Sequence, residues 1–330
     1  MNNNRFSLRL LPDEARIHVI KSLDYPELIA LSLLSTKLTS LVQSFKMKIK
    51  DLMVNVDENA LFINVHYYLN GENSLFKIYN DVDAEELGNS LFTLDEIPPS
   101  IETSRYFPAD RRAETYTWPN PGLSFIRWFE HLRSIFTFSE STVHLDADEE
   151  IFDTEAVRNL LPEWKTVSIE NASTDYTSKI CEVFSACTRV FDVEFIDNLV
   201  QFPQKFVIQN YDDLRTSHSF TLDDALISNS LEICLSDFTI SHLNRFIRHW
   251  IRGSNSRLRR VYMRPQGDIS DEKLLKGVQH QKMPENLERI WNVDSIIKGG
   301  IDIRNKKGIS ATLIINRSNF LSSHMFVWNC

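Results

Sequence analysis

Residues 6–49 read FSLRLLPDEARIHVIKSLDYPELIALSLLSTKLTSLVQSFKMKI. The stretch predicts three short helices. Leu10-Leu11-Pro12-Asp13-Glu14 is a helix start: Pro12 gives up no needed N–H at the first helical position, and Asp13 and Glu14 meet the positive end of the dipole. Ile17, Ile20 and Leu23 recur at near-helical spacing. Tyr25-Pro26 ends that helix and opens another, crowded with Leu28, Ile29, Leu31, Leu33 and Leu34. Ser35 is placed to cap a third, with Leu38, Leu41, Val42 and Phe45 on one face. A unit of about 40 residues cannot bury all of this alone. Either a partner surface or the body of the same chain must cover the surplus. On pattern alone, a docking unit and a helical lid on the following domain are equally open.

Beyond Ile49 the pattern changes to period two. Leu52, Val54, Val56 and then Leu61, Ile63, Val65 alternate with polar residues, and Asn70-Gly71 is a tight-turn signal. Residues 97–99 and 107–112 read as loops, and Trp118-Pro119-Asn120-Pro121-Gly122 is a firm break. From Leu123 strand-like and helix-like pieces alternate. The strands centre near Leu145, Ile169, Val193, Ile233 and Tyr262, with KFVIQN (205–210) as a further strand. Recurrence of a β-then-α unit at this length predicts stacked repeats with parallel strands. Asn305-Lys306-Lys307-Gly308 predicts a hairpin turn between Ile301-Ile303 and Ala311-Ile315, and His324-Trp328 a last strand. The fold class is therefore α/β: three N-terminal helices, then an irregular leucine-rich-repeat-like array, with a single mixed α+β domain as the alternative.

Composition excludes several function classes. The 330 residues are 42% hydrophobic and 25% charged, which fits a folded domain with a sizeable core. A net charge of −9 argues against a general nucleic-acid binder. Nine glycines leave little material for phosphate-cradling loops, and neither GxxxxGK[ST], GxGxxG, HExxH nor GxSxG occurs. Cys181, Cys187, Cys234 and Cys330 have no zinc spacing and read as reduced, buried thiols. A thiol nucleophile assembled with a distant histidine is the enzymatic alternative. The acidic run Asp146, Asp148, Glu149, Glu150 reads as an exposed loop rather than a metal site. No cofactor, metal or catalytic residue is expected. The polar N-terminus is no secretory signal and no apolar run spans a bilayer, so an intracellular protein of cytoplasm or nucleus is expected.

One helix stands out in the second half, ISHLNRFIRHWIRG. Thr239 or Ser241 is placed to cap it and Gly253 to end it in left-handed geometry. Leu243, Phe246, Ile247, Trp250 and Ile251 form an apolar stripe. Arg245, Arg248, His249 and Arg252 lie off it, either as a solvated basic face or as a patch for an acidic ligand.

Two resemblances add to this reading. Leu11-Pro12, Leu23-Asp24-Tyr25-Pro26-Glu27-Leu28 and Leu31-Ser32-Leu33-Leu34-Ser35-Thr36-Lys37 resemble an F-box in order, spacing and type. That family binds the Skp1 adaptor of cullin-RING ubiquitin ligases. The resemblance implies that Leu10, Leu11, Pro12, Ile20, Leu23, Pro26, Leu28, Leu31, Ser32, Leu33, Ser35 and Leu38 supply or support the contact. Leu243 to Leu258, LNRFIRHWIRGSNSRL, with the closing pattern Asp302-Ile303-Arg304, Ala311-Ile314 and Met325-Trp328, is similar to the F-box-associated type 2 (FBA_2) domain of the large nematode F-box families. The implied organisation is an F-box at 5–50 and a substrate-binding domain at 51–330, strand-rich to 122 and β/α-repeated from 123. The implied function is the substrate-recognition subunit of a Skp1–cullin–F-box ubiquitin ligase, acting by proximity on an unidentified protein target, with no nucleic-acid or membrane partner. The alternative is a non-enzymatic interaction module whose F-box is vestigial.

Overall fold

The computed structural model describes residues 11–58, 60–69, 72–81, 91, 93–98, 100–107, 112–194, 202–216, 220–265, 270–292, 295–316 and 323–328. The chain divides into two compact units. One holds Met1–Asn55, Asn59–Gly88 and Phe92–Ser141; the other holds Val56–Glu58, Asn89–Leu91 and Thr142–Cys330.

The first unit opens with α1 (Asp13–Lys21), α2 (Tyr25–Leu33) and α3 (Thr36–Ser44). Pro12 stands at the N-cap of α1, one position earlier than the sequence suggests, with its carbonyl accepting from Arg16 N–H. α2 starts with a reciprocal capping box: Glu27 N–H donates to Asp24 Oδ1 and Asp24 N–H to Glu27 Oε2, each at 2.9 Å. Ser35 caps α3 by accepting from Leu38 N–H. Strands β1 (Met47–Asp57), β2 (Ala60–Leu69) and β3 (Glu72–Asp81) follow. β2 and β3 pair antiparallel up to Leu69 opposite Glu72, on either side of Asn70-Gly71, which lie outside the described residues.

Between the expected loops at 97–99 and 107–112 and the break at Trp118 the structure adds two strands that the sequence pattern does not single out: β4 (Ser100–Phe107) and β5 (Arg112–Pro119), antiparallel to each other, with β4 also paired to β3. Helix α4 (Phe125–Ile135) turns Phe125, Trp128, Phe129, Leu132 and Ile135 inward. Each buried side chain of this size stabilises by about 1.5–3 kcal/mol. α4 lies against α2 and α3, so the leading helices are covered partly by their own unit.

The unit boundary falls within β6 (Phe136–Asp146). The second unit then runs α5 (Thr154–Asn159), β7 (Trp164–Glu170), α6 (Thr174–Phe184), β8 (Thr188–Glu194), α7 (Gln204–Val207), β9 (Asp213–Thr216), α8 (Leu222–Ile227), β10 (Glu232–Phe238), α9 (Ile240–Arg252) and β11 (Arg260–Pro265). Strands β6 to β11 lie side by side in chain order and pair in parallel. Right-handed crossovers taken in one direction put all the helices on one face. This is the predicted β/α array, with one correction. KFVIQN is not a strand: Gln204–Val207 is a helical turn following Pro203, and the strand is the next segment, DLRT. That hidden strand fills the long gap between Val193 and Ile233.

The core residues alternate along each strand. Val143, Leu145, Val167, Ile169, Phe191, Val193, Leu214, Ile233, Leu235, Val261 and Met263 are buried toward the helices. After β11 come α10 (Asp271–Leu274) and β12 (His280–Lys282). The chain closes with β13 (Glu288–Asn292), β14 (Ser295–Lys298), β15 (Ile301–Arg304), β16 (Ser310–Ile314) and β17 (Ser323–Trp328). β17, β16, β15 and β12 continue the sheet antiparallel from β11, including the predicted Lys306-Lys307-Gly308 hairpin. β13 and β14 form a separate two-stranded hairpin. Between β14 and β15, Gly299 and Gly300 both have positive φ, which glycine adopts without steric cost.

Candidate functional site

The leading helices sort the expected contact residues by exposure. Ile20, Leu28 and Ser32 are buried, Leu28 at 1% exposure, so they support the helices from inside. Leu11, Leu23, Pro26, Leu31, Leu33, Ser35 and Leu38 are half-buried, and Pro12 is exposed. Leu10 lies outside the described residues. Two apolar side chains beyond the expected set face water: Ile17 at 37% and Leu34 at 72%. Leu34, the C-cap of α2, is the more exposed of the two.

Ser32 explains why a serine stands in the leucine-rich helix. Its Oγ lies 2.6 Å from the Ile29 carbonyl and 2.7 Å from His131 Nε2 on α4. When the hydroxyl donates to Ile29, the imidazole is the donor to its oxygen. Burial holds the His131 pKa below its ordinary value, which keeps the ring neutral at neutral pH. The Thr39 hydroxyl donates to the Ser32 carbonyl, tying α3 to the same point. Beside it a groove of about 520 Å³ runs along Leu33, Ser35, Thr36, Arg127 and Glu130.

In the second unit α9 carries the other expected patch. Leu243, Phe246, Ile247 and Trp250 are buried; Arg245, Arg248 and Arg252 are exposed and His249 is half-buried. The Thr239 side chain caps the helix by accepting from His242 N–H, and Gly253 ends it at φ 112°. The Lys306 N–H donates to the Ile251 carbonyl, so the β15–β16 turn brings Lys306 and Lys307 to the same end. Those two lysines were not linked to the patch in the sequence; only the hairpin's packing joins them.

Two asparagines of the same segment are structural. Asn244 Nδ2 donates to the Leu274 and Lys276 carbonyls, and Asn255 Nδ2 to those of Ala225 and Ser228. Each replaces the missing backbone partners of a neighbouring turn. A second cluster fastens β13. Arg260 lies over Tyr262 at 4.1 Å and near Phe326 and Trp291, and Arg289 makes two bonds to Asp302 at 2.8 and 3.0 Å.

A family model described as an F-box domain matches residues 8–50, the stretch that folds into α1–α3. A second, described as F-box associated, matches residues 202–263, from before α7 into β11. The chain carries an F-box domain and an F-box-associated segment. Its F-box is the helical front of the first unit, and its F-box-associated segment is the array around Asn244, Trp250 and Asn255. No curated protein and no solved structure matches the chain. Among the described residues no helix is long and apolar enough to cross a membrane.

Burial disfavours the reactive thiolate at two of the cysteines. Cys181 is wholly buried and burial pushes its pKa far up; Cys234 is raised by the same cause. Cys330 lies outside the described residues.

Proposed function

We propose that this chain is the substrate-recognition subunit of a Skp1–cullin–F-box ubiquitin ligase inside the cell. The F-box binds a Skp1-like adaptor and, through it, a cullin; the second unit binds a protein target. The receptor needs no catalytic residue, because holding the target near a ubiquitin-loaded enzyme raises its effective concentration. The observation that carries this reading is the F-box itself, three short helices, the second and third side-chain capped, that leave Pro12, Ile17 and Leu34 facing water. Co-expression with a Skp1-like adaptor tests it. A one-to-one complex is expected with wild type and its loss with Leu34→Asp in a protein that still melts cooperatively. No complex with wild type, or equal capture by the variant, would overturn it.

A second reading rests on one contact. The Ser32–His131 bond and the packing of α4 on α2 and α3 suit a helical front that caps its own unit without an adaptor. It predicts full stability of the isolated chain and no adaptor in the pull-down. Arg245, Arg248, His249 and Arg252, with Lys306, form the candidate surface for an acidic part of the target or of the ligase assembly.

A further inference from the structure

Residues of β6–β10 that alternate with the core form the other face of the sheet, the face without helices. The register sets its side chains in rows. In one row Asp146 pairs with Glu170, and Glu170 with Glu194. In the next, His144 pairs with Ser168, Ser168 with Asp192, and Asp192 with Arg215. In the third, Asp213 pairs with Val190 and with Glu232. Asp146, Glu170, Asp192 and Glu232 are half-buried and Glu194 is exposed.

Neighbouring strands are about 4.8 Å apart, so carboxylates opposite each other repel and destabilise the sheet. In these three rows six carboxylates stand against one guanidinium, Arg215, and one imidazole, His144. Arg215 is spent on Asp213 and, at 3.8 Å, on Asp192; His144 lies 3.5 Å from Glu170. Arg260 and Arg264 border the face from β11, with Arg260 3.9 Å from Glu232. Negative charge therefore remains in excess.

Asp213 gives a second, independent sign. It is 8% exposed and stands on this face between Val190 and Glu232. Its Oδ2 accepts from Arg215, while its Oδ1 has no hydrogen-bond partner among the described residues. A buried carboxylate oxygen left unmatched costs about 1–3 kcal/mol. A cation entering beside the half-exposed Arg215 would supply the missing donor.

We propose that this face, across β6–β10, takes a basic segment of a target protein: an extended stretch whose lysines or arginines meet the carboxylate rows. The proposal deepens the receptor reading and rests on it for the word target. Five strands span roughly 19 Å, the length of about six extended residues. The clustering of His144, Asp146 and Glu170, whose ligating atoms lie within 4.8 Å of one another, would also suit a divalent cation. The rows favour a peptide, because the excess charge runs on through Asp192, Glu194, Asp213 and Glu232, beyond the reach of one ion.

The test uses the full chain, co-purified with the adaptor, and a fluorescent peptide of alternating lysine and serine in about 0.15 M salt. Saturable binding is expected, with no binding of the alternating glutamate–serine peptide. Glu170→Gln/Asp192→Asn/Glu194→Gln should weaken it about tenfold, the sum of three half-exposed ion pairs. Glu163→Gln/Glu272→Gln/Glu285→Gln removes the same formal charge at exposed positions elsewhere and should leave affinity within about twofold. The first variant should also melt at a higher temperature than wild type, because like-charge repulsion is relieved, so lost binding cannot be ascribed to misfolding.

Equal loss in both variants, or no saturable binding, would overturn the proposal. So would tight zinc binding that His144→Ala abolishes while the peptide does not bind. Adaptor capture without peptide binding sinks the docking face alone. Peptide binding without adaptor capture supports the face and sinks the receptor reading.

Discussion

Leu28 and Leu34 lie six residues apart on either side of one helix end, and they should fail in opposite assays. Leu28 is 1% exposed inside the helical front, and Leu34 is 72% exposed at the end of α2. Truncating a leucine so fully enclosed removes its transfer free energy and leaves a cavity, together about 2–5 kcal/mol. Truncating one that water already covers changes stability by at most about 0.5 kcal/mol. If the adaptor closes over Leu34, the order reverses for binding: Leu34→Ala should weaken it by more than about 1 kcal/mol, at least fivefold. Urea unfolding of the chain gives the first quantity and calorimetric titration with the adaptor the second. Leu28→Ala is titrated at a temperature where it remains folded, and its affinity should then stay near wild type. The reasoning is refuted if Leu28→Ala is nearly neutral in urea. It is refuted equally if folded Leu28→Ala loses the adaptor while Leu34→Ala keeps it.

Burial and the neighbouring acids Glu194 and Asp213 push the Asp192 carboxyl up to about 6 despite Arg215, so its ionised form weakens the fold at neutral pH and the penalty lifts as pH falls through 6. Asp192→Asn should therefore raise the melting temperature near pH 7.5 and leave it unchanged near pH 4. His324 has the opposite sign: burial and Arg260 hold it down to about 4, so its contribution is intact above 6.5 and is lost as pH falls toward 4, and His324→Gln should flatten that acid limb in the same melts. At Gly300, with φ 96°, an added Cβ would lie 2.6 Å from Thr312 Cγ2 and 2.9 Å from the Leu313 carbonyl, so Gly300→Ala should cost about 2 kcal/mol or more. Gly308→Ala, also at positive φ but in open space, should cost about 1 kcal/mol by urea titration. A thiol reagent at neutral pH should reach Cys181 only on unfolding, and rapid labelling of the native chain would reopen the thiol-enzyme reading.

The helical front was legible because its signals are local: Pro12, the Asp24–Glu27 box and Ser35 each act within one turn. The array was legible wherever a strand carried two or more alternating apolar residues, as in β6, β7, β8 and β10. β9 has one apolar residue, Leu214, with a charged residue on each side, and the apolar run Phe206-Val207-Ile208 is the stronger strand signal. Periodicity alone cannot separate a buried helical turn from a strand of that length. β4 and β5 were missed for a related reason: Glu102, Arg105, Arg112 and Glu114 interrupt the pattern, and pairing in sequence order holds the strands where propensity does not. The acidic rows left a trace that went unread. Asp146, Glu170 and Glu194 each follow an apolar strand residue at equal spacing, which is what a register-matched ladder requires. Which leucines of the front face outward was not in the sequence at all, since it depends on α4, a helix that begins some 80 residues later.

The alternation along β6–β11 has a consequence for how such a chain can change. Every second residue is answerable to the helices behind it and tolerates little exchange. The residues between answer to one another across the face and to solvent, as Arg215 does to Asp213 and Asp192. Outward and core positions are thus interleaved letter by letter in one text, and substitution at the outward ones can change what the face presents while the core residues stay in place. A duplicated copy of this gene would start its search for a new partner from a fold already secured.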